Sequence, residues 1–367
     1  MKVKILHICT GLAWRGGDAG MLSVVDLLRD QDNQYHHVFC PKNSAVEQKC
    51  IDRNIAYTSV KRGRKFSISY IKNIINTAKR LKVTAIHVHD SNALTMALWV
   101  MRSLKNVQLV YTRKRNNRIG TGFLKKIKYN SRHIDHILCL SNAVKAVLLP
   151  VVRDHSKIQV IYDGIDVDKY NTATDVDHVR KILNLPSEVK IVGNLAGLVP
   201  QKDIHTFIKA VKEFKGLSDM PVKFVIAGDG PMRDELVAFA KALNVENEIE
   251  FLGFRKDVPE LLKGFDVFML SSKTEGLPLV VMESFAAGTP VVSTDAGGTR
   301  EAVKNGVNGF IVPVDDAQQL AEKTLKVLQD EVLAAQFSQK SAQLVHEKFT
   351  LDVMKENYKN FYNSLAG

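Results

Sequence analysis

The stretch that most restricts the fold is residues 265–301. A mostly apolar run, Phe265–Leu270, leads into SSKTEGLPLVVMESFAAGTPVVSTDAGGTRE, residues 271–301. After the acidic loop Thr274–Glu275–Gly276, Pro278 opens a helix over about 279–287, because its fixed φ suits a first helical turn. Gly288 supplies a left-handed exit, and Pro290 prevents continuation. Val291–Val292–Ser293–Thr294 is then a second buried strand, and the loop Asp295–Ala296–Gly297–Gly298 opens another helix. A strand, a short helix and a second strand in that order predict a parallel sheet of the α/β class.

The helix start carries the chemistry. Its free N–H groups and positive dipole end attract an anion. Two carboxylates, Glu275 and Glu283, flank it. That spacing fits backbone N–H groups on a phosphate and carboxylates on sugar hydroxyls, the needs of a phosphate-linked sugar. Two glutamates alone would fit an ordinary βα unit equally well.

With both glutamates, Gly276, Leu277, Pro278, Leu279, Gly288 and Pro290 in place, the run resembles the donor-binding signature of the retaining family-4 glycosyltransferases (glycosyltransferase group 1). The resemblance extends over nearly the whole chain. It implies the GT-B fold, two Rossmann-like domains facing a central cleft. It also implies that Glu275 contacts the transferred sugar, that Glu283 contacts the ribose, and that Gly276–Leu279 form the donor-binding loop.

A chain of 367 residues is long enough for two cores. We place the first domain at 1–166 and the second at 167–350, with a last helix over about 351–367 packing back on the first. The boundary follows Asp163–Gly164–Ile165–Asp166, which resembles the family's crossing turn, with Asp163 where asparagine is commoner.

In the first domain, Val3–Cys9 reads as an interior strand, and the loop Thr10–Gly20 precedes a helix over Met21–Arg29. The pair Gly16 and Gly17 permits a close backbone approach, so a diphosphate could lie on their N–H groups. A flexible loop is the alternative. The family has a glycine-rich loop here, which favours the phosphate reading, with Arg15 assisting. The strand Ala85–His89 puts His87 and His89 on one face. His89 lies at the strand's end, where α/β folds carry their chemistry. The resemblance puts it near the transferred sugar.

In the second domain, LAGLVPQKD (195–203) departs from the family. The family offers an arginine and a lysine five positions apart, directed at the donor diphosphate. Lys202 matches the lysine, but Gly197 stands in the arginine's place. Gly228–Asp229–Gly230 reads as a turn that lets a ligand approach the backbone. Phe254 and Arg255 stand where the family shelters the nucleotide base.

Charge is uneven. The net is +12, yet residues 1–165 hold 28 Lys and Arg against 10 Asp and Glu, while 166–367 hold 23 against 29. The basic excess collects at Lys61–Lys65 and in RKRNNRIGTGFLKKIKYNSRH, residues 113–133, where Phe123, Leu124 and Ile127 interleave with lysines. An acidic acceptor, an anionic lipid surface and a plain solvated face all fit. No zinc-finger or RNA-binding motif appears, so nucleic acid is not expected. The four dispersed cysteines fit a reducing compartment, and no apolar run reaches the roughly 18 residues of a membrane span. The short apolar part of the N-terminus does not read as a signal peptide.

These readings imply transfer of a sugar, from a nucleotide-sugar donor such as a UDP-sugar, to a hydroxyl of a glycan or glycolipid. The family's reaction retains the anomeric configuration. Cell-surface polysaccharide or lipopolysaccharide assembly is the expected setting, in the cytoplasm or on the membrane's cytoplasmic face. The expected catalytic residues are His89, Lys202 and Glu275. No cofactor is expected, and no DxD-like triplet or His–carboxylate cluster calls for a metal. A sugar phosphorylase or epimerase on the same fold, or a non-catalytic nucleotide-sugar binder, is the alternative. A nicotinamide oxidoreductase would need GxGxxG after the first strand, and GLAWRGG is not that.

Overall fold

The computed structural model describes residues 2–14, 16–61, 67–120, 122–173 and 175–366. The chain forms two compact units, 1–163 with 351–367, and 164–350.

The first unit is built on a parallel sheet of β1 (Val3–Ile8), β2 (Gln34–Pro41), β3 (Tyr57–Val60), β4 (Ala85–Val88), β5 (Gln108–Arg113), β6 (His136–Cys139) and β7 (Ile158–Val160), in the order β3-β2-β1-β4-β5-β6-β7. The second holds β8 (Lys190–Leu195), β9 (Val222–Ala227), β10 (Ile249–Gly253), β11 (Val267–Leu270), β12 (Val291–Thr294) and β13 (Phe310–Val312), in the order β10-β9-β8-β11-β12-β13. In each sheet the strand order reverses once, between β1 and β4 and between β8 and β11. The loops leaving those paired strands diverge there, which is where such sheets bind ligands.

The central strands are buried, so they read as apolar runs rather than alternating ones. Phe207, Phe214, Phe224, Leu320 and Phe337 fill one side of the second sheet. In the first unit, Val3, Ile5, Ala85, Val110 and Leu138 pack against Met354, Tyr358, Phe361 and Tyr362 of the chain's last helix, Leu351–Ser364. The chain enters and leaves the second unit side by side, where the Ile165 N–H donates to Phe349 O at 2.8 Å and Ile165 bridges Thr350.

Several local expectations change. The first helix is Gly16–Leu28, five residues longer at its start than expected. Gly16 and Gly17 therefore lie in its first turn. Their poor helix propensity hides that start in the sequence. Asp18 anchors the turn by accepting from the Cys9 thiol at 3.2 Å. The helices Ala45–Asp52, Ser91–Val100 and Glu331–Lys348, with strand β3, carry no strong sequence signal. Leu279–Ala286 is helical as expected, with Pro278 as its cap and Gly288 at φ +80°. All four cysteines are free, buried thiols, Cys40 and Cys50 included.

Asp163 is nearly buried. The Lys114 ammonium holds one carboxylate oxygen at 2.6 Å and supplies the charge that an asparagine would not require. Gly20 makes room, since a Cβ there would lie 2.0 Å from that nitrogen.

Candidate functional site

Two of the three expected catalytic residues meet in the second unit. Lys202 is in the loop after β8 and Glu275 in the loop after β11, so each leaves the sheet at the point of strand reversal. The Lys202 ammonium lies 2.6 Å from Glu275 Oε1, and the Ser272 hydroxyl donates to the same oxygen at 2.7 Å. Both side chains keep some exposure, 27% for Lys202 and 10% for Glu275.

The two loops are stitched together by backbone. The Lys273 N–H donates to Gln201 O at 2.9 Å, and the Ser271 hydroxyl to Lys202 O at 3.2 Å. Glu275 bridges Gly297, with its N–H on Ala296 O at 2.9 Å and its carbonyl accepting from the Gly298 N–H at 3.1 Å. This bridge draws Gly298 so close that a Cβ would fall 2.0 Å from Gly276 O. The pair of glycines in the second loop thus serves the Glu275–Gly276 segment directly.

Gly228 and Gly230 have a packing reason that the sequence did not show. A Cβ at Gly228 would meet Ala196 O at 1.8 Å, and one at Gly230 would meet Leu198 O at 2.5 Å. What approaches this turn is the chain's own 195–203 loop, and the turn shapes the loop that carries Lys202. At Gly197 the nearest atom to a Cβ is Asp229 O, at 3.9 Å, so a Cβ has room there.

Glu283 is half-buried on the helix Leu279–Ala286 and accepts from the Tyr170 hydroxyl. Burial raises its carboxyl above the ordinary range, while Tyr170 and the charge of Lys169 pull it back. Phe254 is 73% exposed. The Arg255 guanidinium is held by Asp257, its Nε donating to Oδ1 at 2.9 Å. Asp257 also takes His178 at 2.6 Å.

In the first unit, His89 follows β4 and lies opposite the start of the first helix. Gly17 is close by, and a Cβ on it would sit at an ordinary 3.9 Å from His89 O. Among the described residues no atom excludes a Cβ there, so packing between them does not explain that glycine. Arg15 lies outside the described residues.

His87 and His89 share a face, with ring centroids 4.0 Å apart, and His7 pairs with His87 in register across β1 and β4. His7 Nδ1 is 3.1 Å from His89 Nε2, and His7 Nε2 is 3.0 Å from His36 Nδ1. His87 contacts the Tyr362 and Thr112 hydroxyls, each at 2.6 Å. Burial lowers the imidazoles of His7, His36, His87 and His89 below their ordinary range, His36 to about 3. His7, His87 and His89 bring one nitrogen each within 4.8 Å, close enough to suggest a metal. Yet both nitrogens of His7 and of His87 already have partners, and the 3.1 Å contact is a hydrogen bond with a proton between its nitrogens. The cluster fits a network of neutral rings.

Ser272, Tyr170, His7, His36 and Tyr362 were not visible as site residues in the sequence. The one signal was histidine within strands that otherwise read as core.

The basic segment is less outward than its sequence suggests. Arg113 is buried, Lys114 holds Asp163, and Lys128 turns inward to the Thr95 hydroxyl at 2.7 Å, its ammonium pulled down to about 8 by burial. Arg115, Arg118, Lys125 and Lys126 remain exposed, beside the bare side chains of Phe123, Leu124 and Ile127. Of Lys61–Lys65, residues 62–65 lie outside the described residues.

Comparison with known proteins fits this geometry. Residues 20–169 match the model described as Glycosyltransferase Family 4, and residues 175–344 match Glycosyl transferases group 1. The chain belongs to the family-4, group 1 glycosyltransferases. It is 26% identical over 349 residues to the UDP-Gal:alpha-D-GlcNAc-diphosphoundecaprenol alpha-1,3-galactosyltransferase of Escherichia coli, covering 90% of this chain and 89% of that one. It is 22% identical to the N-acetyl-alpha-D-glucosaminyl L-malate synthase of Bacillus anthracis, covering 81% and 79%. Among solved structures, HepE of Anabaena in complex with UDP and glucose superposes with a TM-score of 0.84 at 21% identity, over 99% of this chain and 100% of that one. The two parallel α/β sheets are those of the GT-B fold.

Proposed function

We propose that this enzyme moves a sugar from a nucleotide-sugar donor, a UDP-sugar, to a hydroxyl of a glycan or glycolipid, with retention of configuration, in surface polysaccharide or lipopolysaccharide assembly. The observation that carries this reading is the Lys202–Glu275 pair at the strand reversal of the second sheet, four residues ahead of the helix that bears Glu283. The E. coli relative named for a UDP-galactose donor and the UDP complex of HepE support the choice of nucleotide.

In this reading the acceptor oxygen bonds to the anomeric carbon as the bond to the donor phosphate breaks. The nucleoside diphosphate leaves with the electron pair, and the acceptor proton passes to its phosphate oxygen. Lys202 has two further N–H donors beyond the one on Glu275, and these steady the charge gathering on the leaving phosphate. Glu275, tied by an ammonium and a hydroxyl on one oxygen, is a poor nucleophile. It is suited to hold sugar hydroxyls, which supports attack from the leaving group's own face. Glu283 takes the ribose. The family resemblance assigns Gly16, Gly17 and Arg15 to the diphosphate, and Phe254 and Arg255 to the base. The chemistry is assigned without a metal, since Lys202 supplies the positive charge.

Incubation with a panel of UDP-sugars and lipid-linked or glycan acceptors tests the reading. Transfer product with the donor's anomeric configuration is expected. Phosphorolysis, epimerised donor, or binding with no turnover would each replace it.

The exposed Phe123, Leu124 and Ile127, with Lys125 and Lys126, support peripheral attachment to an anionic cytoplasmic leaflet. Among the described residues no helix is long and apolar enough to cross a membrane. Vesicle sedimentation at two salt concentrations measures the attachment. Equal partitioning to neutral and anionic vesicles would exclude electrostatic docking.

A further inference from the structure

The buried histidines of the first unit form a chain with a direction, and its origin is the last helix. Gln34 Nε2 donates to Lys359 O at 3.0 Å and to Asn363 Oδ1 at 2.7 Å. A backbone carbonyl only accepts, so the Gln34 amide cannot be turned round. Its Oε1 therefore faces His36 Nε2 at 3.2 Å as an acceptor, and that nitrogen must carry the proton. A neutral imidazole carries one proton, so His36 Nδ1 is a lone pair. It accepts from His7 Nε2–H at 3.0 Å. His7 Nδ1 is then a lone pair as well and accepts from His89 Nε2–H at 3.1 Å. The remaining nitrogen, His89 Nδ1, is a lone pair too. It is buried and has no partner among the described residues. Burial keeps all three rings neutral, which the chain requires, because a protonated ring would have two donors and no acceptor.

We propose that Gln34, His36 and His7 are positioning residues that fix His89 as the Nε2–H tautomer, leaving Nδ1 as a pre-set acceptor for a ligand hydroxyl. The ligand part rests on the function proposed above, with His89 beside the transferred sugar. The polarity has a chemical consequence. An acceptor locked by three successive hydrogen bonds welcomes an O–H and opposes a carboxylate or carbonyl oxygen at the same place, since two lone pairs would face each other. A buried acceptor left unmatched is also costly, which favours a ligand that supplies the proton. The sugar taken at His89 is therefore expected to present a hydroxyl there.

The full chain, labelled with ¹⁵N at histidine, allows the tautomers to be read from long-range ¹H–¹⁵N spectra. His36, His7 and His89 should each show a protonated Nε2 and a bare Nδ1. His36→Leu removes the acceptor from His7 and should release the tautomers of His7 and His89. His36→Asn places an amide oxygen near the lost Nδ1 and should restore them. On the donor found by the panel, His36→Leu should lower kcat/KM by about tenfold or more, the scale of one unmatched hydrogen bond, and His36→Asn should recover most of it. A protonated Nδ1 on His89 in the native chain would overturn the relay. So would His36→Leu with unchanged tautomers in a folded protein. Released tautomers with native kinetics would overturn the ligand role alone. The spectra decide the relay even if no tested sugar is transferred, so the two readings fail separately.

Discussion

Lys202 and Glu275 show how much one residue's neighbours decide. On the proposed function, Gly197 leaves the donor diphosphate one cation short of the family pattern, and Lys202 is expected to carry an unusual share. Lys202→Ala should lower kcat/KM at least about tenfold, or about 1.4 kcal/mol. It also strips the counter-ion from a nearly buried carboxylate, so it should lower Tm. Adding Glu275→Gln should restore Tm and leave activity low, which separates the two effects in a single set of melts and rates. Gly197→Arg meets no atom closer than 3.9 Å at its Cβ and should raise the activity of the native enzyme. Near-native kinetics in Lys202→Ala would assign the phosphates to another group. Glu283→Gln should weaken donor binding by about 1–3 kcal/mol, the worth of a hydrogen bond to a charged group, with the fold intact. Titration calorimetry reads it, and unchanged affinity would remove Glu283 from the ribose.

Among the elements, the glycines of the second unit divide by what lies against them. Gly298 has backbone on top of it, with Gly276 O at 2.0 Å and Gly276 C at 2.7 Å from a Cβ. Gly298→Ala must displace the Glu275–Leu277 segment, because neither atom belongs to a side chain that can swing aside. A loss of about 1–3 kcal/mol in stability is expected, the usual scale of overpacking, together with weaker donor binding. Gly197→Ala is the control, with its nearest atom at 3.9 Å, and its Tm should not move. Equal melting of both variants would refute this reading of the loop. The first helix teaches a related lesson. Its glycines read as loop in the sequence, yet they form a first helical turn because Asp18 and the buried Cys9 thiol hold it in place.

For the whole molecule, charge and burial are unevenly divided, and acid should reveal it. Burial lowers the proton affinity of His7, His36, His87 and His89, all in the first unit. The unfolded chain takes up protons on these groups as pH falls through about 6.5, and the native chain does not. Their contribution to stability is therefore present above that pH and is lost below it. Each histidine gives a slope of about 1.4 kcal/mol per pH unit, so four approach roughly 5 kcal/mol per unit. Glu283 acts in the opposite sense, since its carboxyl is raised, but it is one group and its window opens lower, from about pH 4.3 upward. Hydrogen exchange followed by mass spectrometry at pH 7.5 and 5.5 should show protection lost in peptides from β1, β2 and β4 before those of β8 and β11. Parallel loss in both units would contradict it.

What the sequence determined by itself lies in short windows. The strand–helix–strand run of 265–301 and the parallel α/β class are local patterns, because propensity, capping and periodicity act over a few residues, while Lys202 and the roles of the two glutamates were marked by the family resemblance. What lies against Gly228, Gly230 and Gly298 could not be read that way. The partners of Glu275, the tyrosine on Glu283 and the inward turn of Lys128 were equally hidden. Those facts depend on which strands become neighbours. His7 and His36 lie on two strands and His89 just past the end of a third, and Gln34 takes its orientation from a helix more than 300 residues later in the chain. Tertiary structure decided these contacts because a hydrogen bond is made by distance and direction in space, and sheet order sets both.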